Sequence, residues 1–166
     1  MILGMSLSTF TTLHVIISLI GIVTGLVVLL GMLGGRQLGS WTAIFLATTV
    51  LTSATGFLFP FNKLLPSHVV GVISLAVLAI ALLALYGLHL AGVWRWIYVA
   101  AAVLALYLNV FVGVVQVFQK LPFLKTLAPT QSEPPFLITQ LVVLALFVGL
   151  IIVAMLRFHN EQLRVA

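Results

Sequence analysis

The chain has 166 residues, is 63% hydrophobic, is charged at only 5% of positions and has a mean hydropathy of +1.36; soluble domains carry about a quarter charged residues, so this composition cannot make a globular surface and the solvent must be lipid. The absence of cysteine excludes disulfides, thiolate metal sites and c-type haem attachment. The net charge of +5 comes from seven cations scattered at loop ends, which argues against nucleic acid as a partner and fits contact with anionic lipid heads.

Crossing the hydrocarbon core takes roughly 20 apolar residues in helix, and five segments qualify. The first covers about residues 10–33 and stops at Gly34-Gly35-Arg36. The stretch before it has no Lys or Arg and no cleavage site follows, so it reads as a retained span rather than a secretory signal. One helical stripe of this span carries His14, Ser18, Gly21 and Gly25. The second segment covers about 41–61, with Pro60 near its end and a stripe of Thr48, Thr52, Thr55 and Gly56. The third covers about 66–91, opening on His68, Gly71 and Ser74. The fourth covers about 95–119 and holds the most polar stripe, Asn109, Gly113, Gln116 and Lys120. A long loop, 120–135, precedes the fifth segment, about 136–156, which places Gln140 one turn below that loop. Lipid leaves no partner for unpaired backbone groups, so these runs are helices. The expected fold is an all-α membrane protein: one domain over residues 1–166, a bundle of five transmembrane helices with its N and C termini on opposite sides.

Five spans put Lys63, Lys120 and Lys125 on the N-terminal face and Arg36, Arg95, Arg157 and Arg164 on the other. The positive-inside rule then places the C-terminus in the cytoplasm by four cations to three, with the N-terminus periplasmic. Trp41, Trp94, Trp96 and Tyr98 form an aromatic belt at the C-terminal face.

The chain has no aspartate, and its two glutamates, Glu133 and Glu161, lie outside the spans. No buried carboxylate relay, Ser-His-Asp triad or carboxylate pair can be built, and no catalytic residue is assigned. Polar stripes should turn away from lipid. His14, Thr52, Thr55, His68, Asn109, Gln116 and Gln140 then point to one polar interior open toward the N-terminal face. The loop 120–135, with Pro129, Pro134, Pro135 and Glu133, caps the same end either as a rigid turn or as a lid.

The leading reading is non-catalytic binding of a small ligand, a quinone-like or lipid headgroup, or a partner helix in this pocket, with His14, Thr52, Thr55, His68, Asn109, Gln116, Glu133 and Gln140 as ligand-binding residues. Two alternatives stay open. His14 and His68 could hold haem b as axial ligands, with His89 and His159 as a second pair, or with Glu133 they could bind a divalent metal. The stripes could instead be helix interfaces in a structural subunit of a larger membrane complex, where small and polar residues act as packing contacts.

The stretches TSATGFLFPF, LPSHVVGVISL and LYLNVFVGVVQVFQKLPFLKTLAPTQSEPPF resemble a group of small uncharacterised bacterial integral membrane proteins without an assigned activity. The resemblance runs over most of residues 48–140. It implies a bacterial inner membrane and carries over no binding or catalytic residue.

Overall fold

Ser6 begins the fold. Its hydroxyl accepts the Thr9 amide at 3.1 Å and caps α1 (Leu7–Leu33), satisfying one of the donors that a helix start leaves open. The far end closes in a Schellman turn: Arg36 N–H returns to Gly31 O at 2.9 Å and Gly35 N–H to Met32 O at 3.0 Å. Gly35 takes φ +72°, a conformation that a Cβ disfavours. In this computed structural model, Ile2, residues 4–60 and residues 66–158 are described. Most of the turn expected at 61–66, including Lys63, lies outside the described residues, as do His159, Glu161 and Arg164.

The remaining helices are α2 (Gly39–Gly56), α3 (Pro66–Leu82), α4 (Trp94–Lys120), α5 (Pro122–Leu127) and α6 (Pro134–Arg157). α2 stops short of the expected 61. Phe57 N–H reaches back only to Ala54 O and Leu58 N–H to Thr55 O, a tightened last turn, and Pro60 disfavours helix at the residue before it. α3 widens into a π-turn over Leu83–Gly87 instead of continuing to 91. It ends through His89 and Leu90 at φ 49° and 59°, with Leu90 almost fully buried as the anchor. The loop expected at 120–135 contains α5, which Pro122 starts from the first-turn position that suits a residue without an N–H.

Among the described residues the fold is helical, apart from one isolated bridge between Ile2 and Met5. Four helices are long and apolar enough to cross a membrane: Leu7–Leu33, His68–Gly87, Trp94–Lys120 and Pro134–Arg157. α2, rich in Ser and Thr, is not one of them. Exposed Leu, Ile and Val side chains ring the outside of the bundle, as contact with lipid requires.

α2 packs between α1 and α3, and α4 touches α1, α2, α3 and α6. α1 runs antiparallel to α2 and to α4, and α4 antiparallel to α6. His14 meets Thr55 while Gly25 meets Phe45, Tyr98 meets Phe158 while Phe118 meets Phe136, and Gly25 meets Leu106 while Gly113 meets Ile22. The bundle therefore has one end carrying Arg36, Arg95 and Arg157 and another carrying His14, Phe59 and Lys120. The core concentrates toward the arginine end. There Ala101, Ala102 and Ala105 of α4 let Phe45, Leu46, Leu78 and Met32 close around it. Gly25 is essential to that fit, because a Cβ there would lie 2.6 Å from Leu106 Cδ1 and 2.8 Å from the Phe45 ring. From residue 107 to residue 115, every residue of α4 is only half-buried.

Candidate functional site

The stripes of α1 and α2 face each other. His14 sits against Thr55, Gly21 against Thr48, and Gly25 against Phe45, an antiparallel register that sets Ser18 opposite Thr52. Threonines suit this seam because each hydroxyl can give its hydrogen to a carbonyl one turn back in the same helix and still accept from across the seam. Thr48 donates to Ile44 O at 2.7 Å and Thr55 to Leu51 O at 2.6 Å.

That pattern assigns the tautomer of His14. The Thr55 hydroxyl has an acceptor of its own in Leu51 O at 2.6 Å; with its hydrogen given there, His14 Nδ1–H is the donor in the 2.8 Å bond between the two side chains. In the neutral ring, Nε2 then carries the lone pair and accepts. The ring is held on its other side by Phe59, edge-on at 5.1 Å, which itself packs on Phe10 at 5.0 Å. Ser18 donates to His14 O at 2.7 Å. The Thr52 hydroxyl oxygen, one turn deeper, is buried with no hydrogen-bond partner.

Deeper still, Asn109 of α4 closes the seam. Its Nδ2 donates to Thr49 Oγ1 at 3.2 Å, and Thr49 is fully buried. Gly21 makes room for this junction, since a Cβ there would stand 3.3 Å from Thr48 Oγ1 and 3.4 Å from Asn109 Nδ2. On the other side of α2, Ser53 donates to Ser74 of α3 at 3.1 Å. This pair was not among the expected site residues, although its small-polar spacing could have found it.

The tight end of α2 sends two phenylalanines in opposite directions. Phe59 goes to α1 and His14; Phe57 goes to α3, where its ring lies 5.7 Å from the buried His68 and against Gly71. The end of α2 thus stands between His14 and His68. A haem held by both rings would require that end to move aside. His159, one of the second expected pair, lies outside the described residues.

Gln140 belongs to a second seam. Its Nε2 donates to Phe111 O at 3.2 Å, joining α6 to α4, and its buried Oε1 has no partner. Phe111 follows Asn109 by two positions, about 200° around the helix, so the Asn109 side chain and the residue that Gln140 reaches lie on opposite sides of α4. Gln116 is exposed. The expected single interior is therefore divided by α4: His14, Thr52, Thr55 and Asn109 share the α1–α2–α4 seam, His68 lies behind α2, and Gln140 lies across α4.

The loop with Glu133 closes over the α4–α6 end. Phe118, Ala128 and Phe136 form a small cluster of their own, and Gln131 donates to Val115 O at 3.1 Å while accepting from Gln119 at 3.3 Å. Glu133 Oε1 accepts Thr130 N–H at 3.1 Å and Thr130 Oγ1 at 2.8 Å, and Oε2 accepts Ser132 N–H at 3.1 Å. Desolvation pushes the carboxyl upward, but these bonds outweigh it and hold it below the usual carboxylate range. The cluster ties the residues before α6 into a turn, and Glu133 makes no side-chain cap bond to that helix. Among the described residues, no three His, Cys, Asp or Glu come together to hold a metal ion, so the set His14, His68 and Glu133 is not assembled. No protein-family model, curated protein or solved structure matches the chain.

Proposed function

We propose that the protein is a multi-pass integral protein of a bacterial cytoplasmic membrane, with α2 as a fifth span and the two termini on opposite sides. Its α1–α2–α4 seam binds the polar head of a small lipid-soluble ligand without covalent chemistry. The observation that carries this reading is the Thr52 hydroxyl, buried without a partner one turn from the bond between His14 Nδ1 and Thr55; with Nδ1–H donating in that bond, Nε2 is left to accept. A buried hydroxyl left unbonded costs about 1–3 kcal/mol. A ligand carbonyl accepting from Thr52, beside a ligand hydroxyl donating to His14, removes that cost; a quinone–quinol head offers both groups. Half-burial of α4 from residue 107 to residue 115 supports entry from the His14 end.

The test uses the full chain in detergent with a short-chain benzoquinone and, separately, an extracted bacterial lipid mixture. The expected result is a rise in melting temperature that His14→Ala and Thr52→Val each remove. No rise with either probe overturns the reading. A reduced-minus-oxidised spectrum with a Soret band lost in His14→Ala would replace it with haem binding. A C-terminal reporter fusion that proves periplasmic would overturn the orientation.

Assembly into a larger complex is favoured by a different observation. Asn109 and Gln140 are each already bonded to a neighbouring helix, as interhelical packing contacts are. Co-purification of a fixed partner, lost when α6 is altered and retained in His14→Ala, would support that second reading.

A further inference from the structure

α4 is longer than the apolar core of a bilayer. Its 27 residues rise about 40 Å, against about 30 Å for the hydrocarbon and about 40–45 Å with both headgroup layers. Centred in the bilayer, the helix ends at Lys120 among the headgroups. Leu121 turns the chain there with an extended backbone, and Pro122 starts α5 at that depth.

α5 has two sides. At about 100° per residue, Leu127 stands about 40° from Phe123, Leu124 about 100° and Lys125 about 200°. Leu124 sets the rotation, because it packs against the cluster of Phe118, Ala128 and Phe136. Phe123 and Leu127 are left on the outside, with Lys125 turned away from them. Phe123 is 72% exposed, more than any other large apolar side chain among the described residues, and Leu127 is 42% exposed. The helix has no buried residue, yet it is held in place. Lys125 N–H donates to Leu121 O at 2.9 Å, and Ala128 N–H to Leu124 O at 3.0 Å. Beyond it, Gln131 ties the chain back to α4.

Lipid covers the apolar side better than protein does. Six residues offer a face two side chains wide, far below the roughly 1,200 Å² that a stable protein interface buries. Exposed apolar side chains also lead into α5 from Val117 and Leu121 of α4 and out of it to Leu137 and Ile138 of α6. The apolar side therefore continues the lipid-facing ring of the bundle. Lys125 on the other side suits anionic headgroups, which attract basic side chains next to a membrane. An apolar side opposite a cation is the pattern of helices that lie in the membrane surface.

We propose that α5 docks on the lipid surface at the His14 end of the bundle: Phe123 and Leu127 insert among the acyl chains, and Lys125 stays at the level of the headgroups. Because Leu124 and Gln131 fix it to its neighbours, α5 sets how deep this end of the bundle sits. The proposal rests on α4 spanning the membrane. It needs no ligand in the α1–α2–α4 seam, so failure of ligand binding leaves it standing.

The chain has no cysteine, so one nitroxide label can be placed through Phe123→Cys, Leu127→Cys or Lys125→Cys. The full chain is put into vesicles of phosphatidylethanolamine and phosphatidylglycerol. Power saturation then compares collisions with oxygen, which gathers in hydrocarbon, and with a water-soluble nickel chelate. Labels at positions 123 and 127 should favour oxygen, at a depth of about 5–10 Å, and the label at 125 should favour nickel. Circular dichroism checks that each variant folds, and either of the two apolar positions decides if the other fails. Nickel preference at all three positions overturns the proposal, because α5 then stands in water. Oxygen preference at all three overturns it as well, because the helix then has no headgroup side. Shielding of positions 123 and 127 from both reagents overturns it in favour of a protein partner, a second copy where the spectra broaden.

Discussion

The two ends of the bundle solve helix packing differently. At the arginine end, α4 presents Ala101, Ala102 and Ala105, and large apolar side chains from α1, α2 and α3 close on it. At the His14 end the same helix is half-buried, and its neighbours are joined by hydrogen bonds and by rings meeting edge-on. In lipid the hydrophobic effect does not pull helices together, so close packing and interhelical hydrogen bonds must do so. One end relies on the first and the other on the second. The core of the dense end is closed; buried polar atoms without a hydrogen-bond partner lie at both ends, Thr52 Oγ1 and Gln140 Oε1 at the polar one and Arg95 Nε and Tyr98 OH at the arginine one.

That contrast can be broken most forcefully at its aromatic residues. Phe45→Ala should cost about 3 kcal/mol, mostly the cavity left in a rigid surround, whereas Phe59→Ala, half-buried at the other end, should cost clearly less. Melting in detergent measures both, and equal losses would erase the difference between the ends. Next in size is a pair of glycines. Gly25→Ala overpacks Phe45 and Leu106 and should destabilise by about 1–3 kcal/mol, while Gly113→Ala meets only Ile22 Cδ1 at 3.7 Å and should be near neutral. Smaller again is the Asn109–Thr49 bond. A double-mutant cycle with Asn109→Leu and Thr49→Val should return a coupling of about 1 kcal/mol; zero coupling would make the amide a spacer.

The smallest effect concerns the loop. The Glu133 carboxyl is held below its ordinary value of 4.5. Its contribution to the turn is therefore complete above that value and is lost as pH falls through the lower, folded-state one. Hydrogen exchange at the Thr130 and Ser132 amides should quicken in acid and, in Glu133→Gln, already at neutral pH, with no change in global melting. Unaltered exchange in the variant would show that the turn holds without the charge.

Much of this architecture can be read from residue order alone. Long apolar runs imply helices, and the repeats of His14, Ser18, Gly21 and Gly25 and of Thr48, Thr52 and Thr55 mark faces that do meet. Spacing says which side of a helix is polar, but not which neighbour that side turns toward. So it could not show that α4 separates Asn109 from Gln140, or that the end of α2 comes between His14 and His68. The early stop of α2 follows from Pro60 and the tightened turn before it, and α5 lay hidden in a stretch that prolines made look irregular. Glu133 looked like a pocket group because charge is rare in this chain, yet its partners are its own loop neighbours.

The interlock of α1 with α2 bears on how the chain is made. α2 follows α1 directly, and by composition it is not apolar enough to cross a membrane unaided. Two of its threonines, Thr48 and Thr55, give their hydroxyls to carbonyls of their own helix and face α1 on the other side. The two are therefore expected to leave the ribosome and enter the bilayer as a hairpin, α1 carrying α2 in. An insertion assay should find residues 39–60 largely outside when fused alone and inside when residues 1–60 are fused together; entry of the isolated segment would show that it needs no escort.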